Sequence, residues 1–534
     1  MKTRRIAIIG AGISGLAAAY RLTELAPEYQ VTLFDPRFRP GGVLNTIEKE
    51  GFEIEEGADN FITTVPWGLD LCKRLGIADK LVTTNPQFRQ TFVVFRNRLH
   101  KLPDGFMMMA PTQMWPLATT RLLSPLGKIR AGLELFIPRK SDDADESMAE
   151  FGRRRMGREV FDRLIEPLIS GVYAADLEKL SVLATMDRFR QMEKEHRSMI
   201  LAMRAEMSKR RQREREDRQA RKAGIESGPR YSMFVTLKGG FKLMADTIVE
   251  RLPAGAFQPG VRVEKMERTV NGNDEPAWRL YWRSVERASD SSAAGTGGAD
   301  KSYSDKINSG DTNSGIINLD KAFSSVANKR DQGLTTGTFD AVIICAPSYN
   351  AAELIRPTDE LLANDLAAIA HSGTAIASMA FRREQIGRPL DGMGAVVPRI
   401  EHSPILALSF SSVKYPHRAP DGTVLIRVFA GGARDESLAV LPDDQLVPLL
   451  VEKMRPLIKL QGDPICVHTA HWPNTMPQYH VGHLDRAAAI ESRVSALPGL
   501  ELAGNSYRGV GVPVCIHSGE QAAERTLAFL QERP

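Results

Sequence analysis

Gly10-Ala11-Gly12-Ile13-Ser14-Gly15 follows directly on a short apolar run, Ile6–Ile9, and opens an Ala- and Leu-rich stretch that reaches about Leu25. Few folds accommodate that arrangement. The run reads as a buried strand, the stretch from Ser14 as a helix, and Val31–Phe34 as a second strand, so residues 5–42 form a βαβ start. Gly10 permits the tight turn, Gly12 lets a diphosphate approach the backbone, and Gly15 lets helix and strand pack closely. The helix N-terminus supplies free N–H groups and partial positive charge. Asp35 lies 20 residues after Gly15, at the end of the second strand, where a carboxylate can accept hydrogen bonds from a ribose diol. The glycines alone are a weak signal; with strand, helix and acid in register they predict a dinucleotide site.

Three further stretches add to it. Arg39-Pro40-Gly41-Gly42, with Val43 next in line, places paired glycines where a main chain without Cβ atoms can run along a bound cofactor. Gly57-Ala58-Asp59-Asn60-Phe61 follows a strand-like Phe52–Glu56, and Asp59 is expected to organise local backbone N–H groups rather than act as a base. Near the end of the chain, a strand at Leu500–Ala503 leads into Gly504-Asn505-Ser506-Tyr507-Arg508-Gly509-Val510-Gly511, and a helix, Val514–Leu530, follows. The turn Gly509–Gly511 offers backbone donors, while Tyr507 and Arg508 read equally well as surface residues or as the lining of an entrance.

These segments, with Thr236–Asp246 (TLKGGFKLMAD), Val342–Pro347 (VIICAP) and Gly509–Ala523 (GVGVPVCIHSGEQAA), resemble the protoporphyrinogen/coproporphyrinogen oxidase family over most of the chain. The N-terminal motif is generic to flavoproteins; the C-terminal one is the more specific. The resemblance implies an α/β fold: an FAD-binding Rossmann-like domain of the two-dinucleotide-binding type, a mixed-sheet substrate domain and a helical subdomain that can touch a membrane. It implies FAD, with Arg39 near its diphosphate, Gly57–Asn60 near the isoalloxazine, Val263 at the adenosine end and Gly504 and Gly509–Gly511 near the pyrimidine or ribityl chain. Gly171, in a Ser170–Ala174 segment, and Gly392-Met393, at the head of a strand-like run to Pro398, would border the porphyrinogen. The propionate-facing Arg of the family's well-known eukaryotic members is absent, since Thr91 occupies that position; Arg89, two residues earlier and on the same face of an extended strand, is the candidate replacement.

A porphyrinogen loses six electrons and six protons, so the resemblance implies three two-electron rounds at one flavin, with oxygen as acceptor and the cofactor carrying the redox chemistry. Protoporphyrinogen IX is the favoured substrate and coproporphyrinogen III the alternative. The implied partners are the porphyrinogen and oxygen, with no nucleic acid and with room for peripheral membrane contact and a homodimer. No Ser/His/Asp or Cys/His constellation is evident, no catalytic side chain is assigned, and His371, His402, His471 and His480 read as structural. Rival readings are a flavin amine oxidase, a carotenoid desaturase, or an assembly protein retaining a dead FAD site.

Composition sets the remaining bounds. A length of 534 residues suggests two or three domains. The expected boundaries are 1–90, 227–350 and 490–534 for the FAD domain, 91–226 for the helical part and 351–489 for the substrate domain. Cys72, Cys345, Cys466 and Cys515 are scattered, which argues against a disulfide framework or a metal site and suits a reducing, cytoplasmic setting. No apolar run is long enough to span a membrane, and the N-terminal one is too short for a signal peptide. The net charge of +5 is concentrated in 209–222, where eight Lys/Arg meet three Asp/Glu. That run reads as a solvated helix extension, or more sharply as a contact for anionic lipid. Leu117–Phe136 has the spacing of a core or surface-docking helix, and Met199, Met203 and Met207 form a core stripe. Residues 286–338, rich in Ser, Gly, Asp and Asn, read as a disordered insertion at a hairpin tip.

Overall fold

A computed structural model describes residues 3–222, 233–286 and 334–533. Its centre is a five-stranded parallel sheet in the order Phe257–Pro259, Gln30–Asp35, Arg5–Ile9, Ala341–Ile344, Leu500–Leu502. The first strand shows why the sheet is buried on both sides. Ile6 and Ile8 enter the core with helix Ile13–Leu25, and Ala7 and Ile9 enter a second core on the opposite face. Side chains alternate along a strand, so a continuous apolar run serves two layers at once. Each buried isoleucine contributes about 1.5–3 kcal/mol. Helix Val512–Gln531 packs alongside Ile13–Leu25, so closely that a Cβ on Gly519 would lie 2.0 Å from the Ser14 carbonyl oxygen.

The second layer begins with Val261–Val270 and Pro276–Ser284, which pair antiparallel; Thr335–Phe339 then pairs back on the latter. The hairpin expected around the insertion is therefore present, but its returning strand is Thr335–Phe339, four of whose five residues lie inside the 286–338 stretch expected to lack order. Phe339 ends that returning strand, and Ala341–Ile344, just after it, belongs to the parallel sheet. Residues 287–333 lie outside the described residues.

A seven-stranded mixed sheet forms the other large body, in the order Cys466–Pro477, His371–Arg382, Thr423–Gly431, Ile405–Phe410, Gly394–Val396, Thr91–Phe95, Arg98–Lys101. Thr91–Phe95 runs parallel to Gly394–Val396, so a stretch expected within the helical part is drawn into this sheet. Helices between Met114 and Lys222 build a separate apolar core containing Met199 and Met203, while Met207 is only half-buried. The basic run continues the helix Met199–Lys222. The single helix expected over Leu117–Phe136 is instead broken into Met114–Thr119, Pro125–Gly132 and a tighter turn, Leu133–Phe136. Ser124 explains the break: its hydroxyl caps the Gly127 N–H and Pro125 follows at the first helical position, which starts a new helix.

Candidate active site

The dinucleotide turn forms as its residues require. Gly10 has φ +105°, and a Cβ on Gly15 would sit 1.8 Å from the Gly10 carbonyl oxygen. Gly12 is different: nothing lies within 4 Å of where its Cβ would be, and it caps the helix without a side-chain hydrogen bond. Two glycines thus close the turn while the third leaves the N–H end of the helix open, which is the cradle a diphosphate needs. Asp35 is buried and braces this turn, accepting the Ala11 N–H at 2.7 Å and the Arg37 N–H at 2.8 Å. Burial raises its pKa against the opposing pull of those two N–H groups.

From there a ribbon of close backbone contacts runs across the site. Gly41 bridges to Gly12 and donates its N–H to Ala11, and a Cβ on Gly42 would stand 3.1 Å from the Gly12 Cα. Val43 is followed at once by Gly57, whose Cβ would meet the Val43 oxygen at 2.1 Å. Ala58 and Val512 pack on the same core, and Gly68 lies against both Phe61 and Pro513. Gly10–Gly15, Gly41–Val43 and Gly57–Asn60 are therefore brought together, with Pro513, just after the Gly509–Gly511 turn, beside Phe61 across Gly68. Arg39 donates to the Gly42 carbonyl at 2.9 Å and pairs with Glu56 at 3.4 Å. Val263 is buried with Phe34 in the second core, across from Trp282. Ile13 and Ser14 are buried in the helix start, and Gly504 keeps an open side at φ +129°.

Asp59 departs from expectation. Its carboxylate takes side-chain cations rather than capping backbone: Lys414 at 3.1 Å, Arg427 at 3.5 Å and Arg418 at 3.7 Å. Burial works against its charge, yet these three cations outweigh it and hold the carboxyl well below the usual range. Arg427 also donates to the Gly57 carbonyl, so the seven-stranded sheet grips the 57–60 segment directly. Glu55, buried beneath, is pushed up to about 7 by burial, against the opposing pull of Arg418 and Thr46. Sequence reasoning missed this cluster. Its one visible signal is Arg427 in the middle of the apolar strand Thr423–Gly431, because an arginine is almost never buried unless paired.

The turn at the chain's end is held by another unforeseen residue. Tyr479 accepts the Gly509 N–H at 2.7 Å and donates to the Asn505 carbonyl, and its ring stacks on His483 at 4.0 Å. Tyr507 is buried, and Arg508 stands at the surface, paired with Glu491 at 2.6 Å.

Gly171 packs on the large sheet, where a Cβ would make ordinary contact with Val396 at 3.6 Å and Ala407 at 4.0 Å. Gly392 and Met393 are bound at the strand's head, where Met393 donates to the Gln90 carbonyl at 2.8 Å and a Cβ on Gly392 would meet that oxygen at 2.4 Å. Arg89 does not share a strand face with Thr91. The strand begins only at Thr91, and Arg89 is exposed in the preceding loop, so the same-face argument for it fails. His371 and His471 hydrogen-bond the backbone carbonyls of Ile369 and Ala439, and His471 also pairs with Asp443. Among the described residues no group of His, Cys, Asp and Glu could hold a metal ion.

Residues 13–289 and 313–527 match the family described as Flavin containing amine oxidoreductase. The chain belongs to that family. FAD is the cofactor of this flavin containing amine oxidoreductase, and the open Gly12 turn and the glycine ribbon fit it. The chain is 31% identical to coproporphyrinogen III oxidase of Bacillus subtilis (strain 168) over 538 residues, covering 99% of this chain and 98% of the relative. It is 28% identical to protoporphyrinogen oxidase 2, chloroplastic/mitochondrial, of Arabidopsis thaliana, covering 99% and 94%. The crystal structure of a putative protoporphyrinogen oxidase from Exiguobacterium sp. 255-15 superimposes with a TM-score of 0.78 at 25% identity, covering 99% of this chain and 100% of that one.

Proposed function

We propose that this flavin containing amine oxidoreductase oxidises a porphyrinogen to a porphyrin, and that coproporphyrinogen III is its substrate. The observation that carries the reading is the run of close backbone contacts from Gly12 through Gly42 and Val43 to Gly57, beside which Gly68 links Phe61 to Pro513 at the start of the last helix, joined through Arg427 to a second sheet whose Val396 and Ala407 pack on Gly171. Protoporphyrinogen IX is the substrate the sequence motifs favoured. Similarity of 31% and 30% to coproporphyrinogen III oxidases of Bacillus subtilis and Staphylococcus aureus, each over 99% of this chain, supports the four-carboxylate substrate instead.

The overall change balances as one porphyrinogen and three O2 giving one porphyrin and three H2O2. Bound FAD supplies two-electron redox chemistry. The chain's own residues hold and orient. The helix N-terminus at Gly12 and Arg39 serve the diphosphate, Asp35 the ribose and Val263 the adenosine end. Gly57–Asn60, Gly504 and Gly509–Gly511 serve the ring end. Gly171, with Val396 and Ala407 packed against it, and Gly392-Met393 at the head of the neighbouring strand are the apolar contacts assigned to the macrocycle. No acid or base from the chain is required, because the pyrrole nitrogens and solvent can carry the protons.

The test is porphyrin fluorescence from the FAD-loaded chain given coproporphyrinogen III and protoporphyrinogen IX separately in air. Faster porphyrin formation from the first, with three peroxides per porphyrin, is expected. Faster formation from the second reverses the substrate assignment, and no rate above autoxidation with either removes porphyrinogens altogether.

A further inference from the structure

Arg427 is the one charged residue of the strand Thr423–Gly431. Ile426 and Val428, on either side of it, enter the core beneath the helix Asp443–Ile458, so Arg427 turns to the opposite face. Register places Ser409 and Ser378 beside it on the flanking strands, and His468 beside Ser378. A polar row therefore crosses four strands of the large sheet, and it meets one segment of the FAD-binding part. His468 pairs with Glu56 at 2.8 Å, and Arg427 donates to the Gly57 carbonyl. Lys414 donates to Ser409 at 3.3 Å and to Asp59 at 3.1 Å.

That row carries more charge than fastening requires. Two packed surfaces can be joined by apolar contact without the desolvation cost of buried ions. Here the Arg427 side chain is 1% exposed, Arg418 0% and Lys414 13%, and all three converge on the single carboxylate of Asp59. Glu53 lies 3.7 Å from Arg418. Glu55, raised to about 7 by burial against the pull of Arg418, is largely uncharged below that pH. Three cations thus meet two charged carboxylates, and His417, 3.4 Å from Glu53, can only add to the positive side. Among the described residues the Nε atoms of Arg427 and Arg418 find no hydrogen-bond acceptor. Salt screens charges buried this deeply very little.

We propose that Lys414 and Arg427, gathered on Asp59, are positioning residues that keep net positive charge beside the ring end of the flavin and so make the bound cofactor easier to reduce. The inference rests on the assignment of Gly57–Asn60 to the ring end, and not on which substrate gives up the electrons. Two electrons and one proton leave a flavin ring with a negative charge that the oxidised ring lacks. Buried cations nearby stabilise that charge and raise the reduction potential.

The test is the reduction potential of the FAD-loaded full chain, read against a reference dye during slow anaerobic reduction with no porphyrinogen present. The parent should lie above free FAD. At a fixed dye ratio, Lys414→Met should lower the ratio of reduced to oxidised flavin about tenfold, which is about 30 mV for a two-electron couple, and Lys414→Arg should restore it. Asp59→Asn, which frees the cations from their shared acid, should move the ratio the other way. A merely structural role would cost FAD retention or melting temperature in both variants without opposite shifts in potential. An unchanged potential in Lys414→Met, or shifts of the same sign in Lys414→Met and Asp59→Asn, overturns the proposal. Should a variant shed its FAD, the parent decides: a potential above that of free FAD supports the proposal, and one at or below it overturns it. Because a dye takes the place of the porphyrinogen, failure of the substrate assignment leaves this result standing, and failure here leaves that assignment standing.

Discussion

The Tyr479 hydroxyl lies 2.7 Å from the Gly509 amide nitrogen and accepts its hydrogen bond, while donating its own proton to the Asn505 carbonyl. One side chain thus spans the Asn505–Gly509 turn, which the proposed function assigns to the ring end of the cofactor. Tyr479→Phe keeps the stack on His483 and removes both bonds. The loss of a buried pair of this kind, about 1–2 kcal/mol, should weaken FAD binding roughly tenfold. Flavin fluorescence titration measures it; unchanged affinity would separate Tyr479 from the cofactor.

Gly12 and Gly15 should respond differently to the same substitution. A Cβ at Gly15 collides with the Gly10 oxygen at 1.8 Å, so Gly15→Ala should lower the melting temperature of the apoprotein by many degrees. A Cβ at Gly12 meets no protein atom within 4 Å. Gly12→Ala should leave apoprotein melting nearly unchanged and abolish FAD retention, because the methyl occupies the space left for the diphosphate. Equal effects from both would deny that space a ligand.

Glu55 gives a signed pH dependence. Its folded pKa, pushed up to about 7, exceeds the unfolded value of about 4.3. A carboxyl raised in this way contributes stability that is fully present below about pH 4.3 and lost as pH rises to about 7. Asp59, depressed by Lys414, Arg427 and Arg418 despite its burial, acts oppositely, and its contribution falls away only below about pH 3.9. Glu55→Gln should therefore flatten the decline in melting temperature between pH 4.3 and 7, relative to the parent. A parallel slope in the variant contradicts the assignment.

Arg434 ties the Gly171 helix to the large sheet, donating to Ser170 at 2.7 Å and to the Val397 carbonyl at 2.9 Å and pairing with Glu166. Arg434→Gln leaves the nearly buried Glu166 without its cation, at a cost of about 3 kcal/mol. The Gly171–Val396 spacing should loosen, raising KM for the porphyrinogen several-fold with FAD affinity unaltered. A change in FAD affinity alone would place Arg434 on the cofactor side.

What was legible in the sequence was what the backbone decides locally. Gly10, Gly12 and Gly15 must sit between strand and helix, and Asp35 must end the next strand, so their places follow from neighbouring residues. Arg427 and Tyr479 reach their partners across 370 and 30 residues of chain, and no local pattern records such a meeting. Leu117–Phe136 reads as one helix because its apolar spacing continues through Ser124-Pro125, whose capping chemistry in fact starts a new one. Arg89 lies off the face for a related reason: the two-residue rule holds only within a strand, and the strand starts at Thr91.

The most direct measurement is anaerobic. FAD-loaded protein is mixed with one equivalent of coproporphyrinogen III, and in a parallel run with protoporphyrinogen IX, and bleaching of the oxidised flavin is followed in a stopped-flow instrument. Rapid bleaching by coproporphyrinogen III, slower bleaching by protoporphyrinogen IX, and return of the flavin colour on admitting oxygen are expected. A flavin that stays oxidised with both would contradict porphyrinogen oxidation at this site.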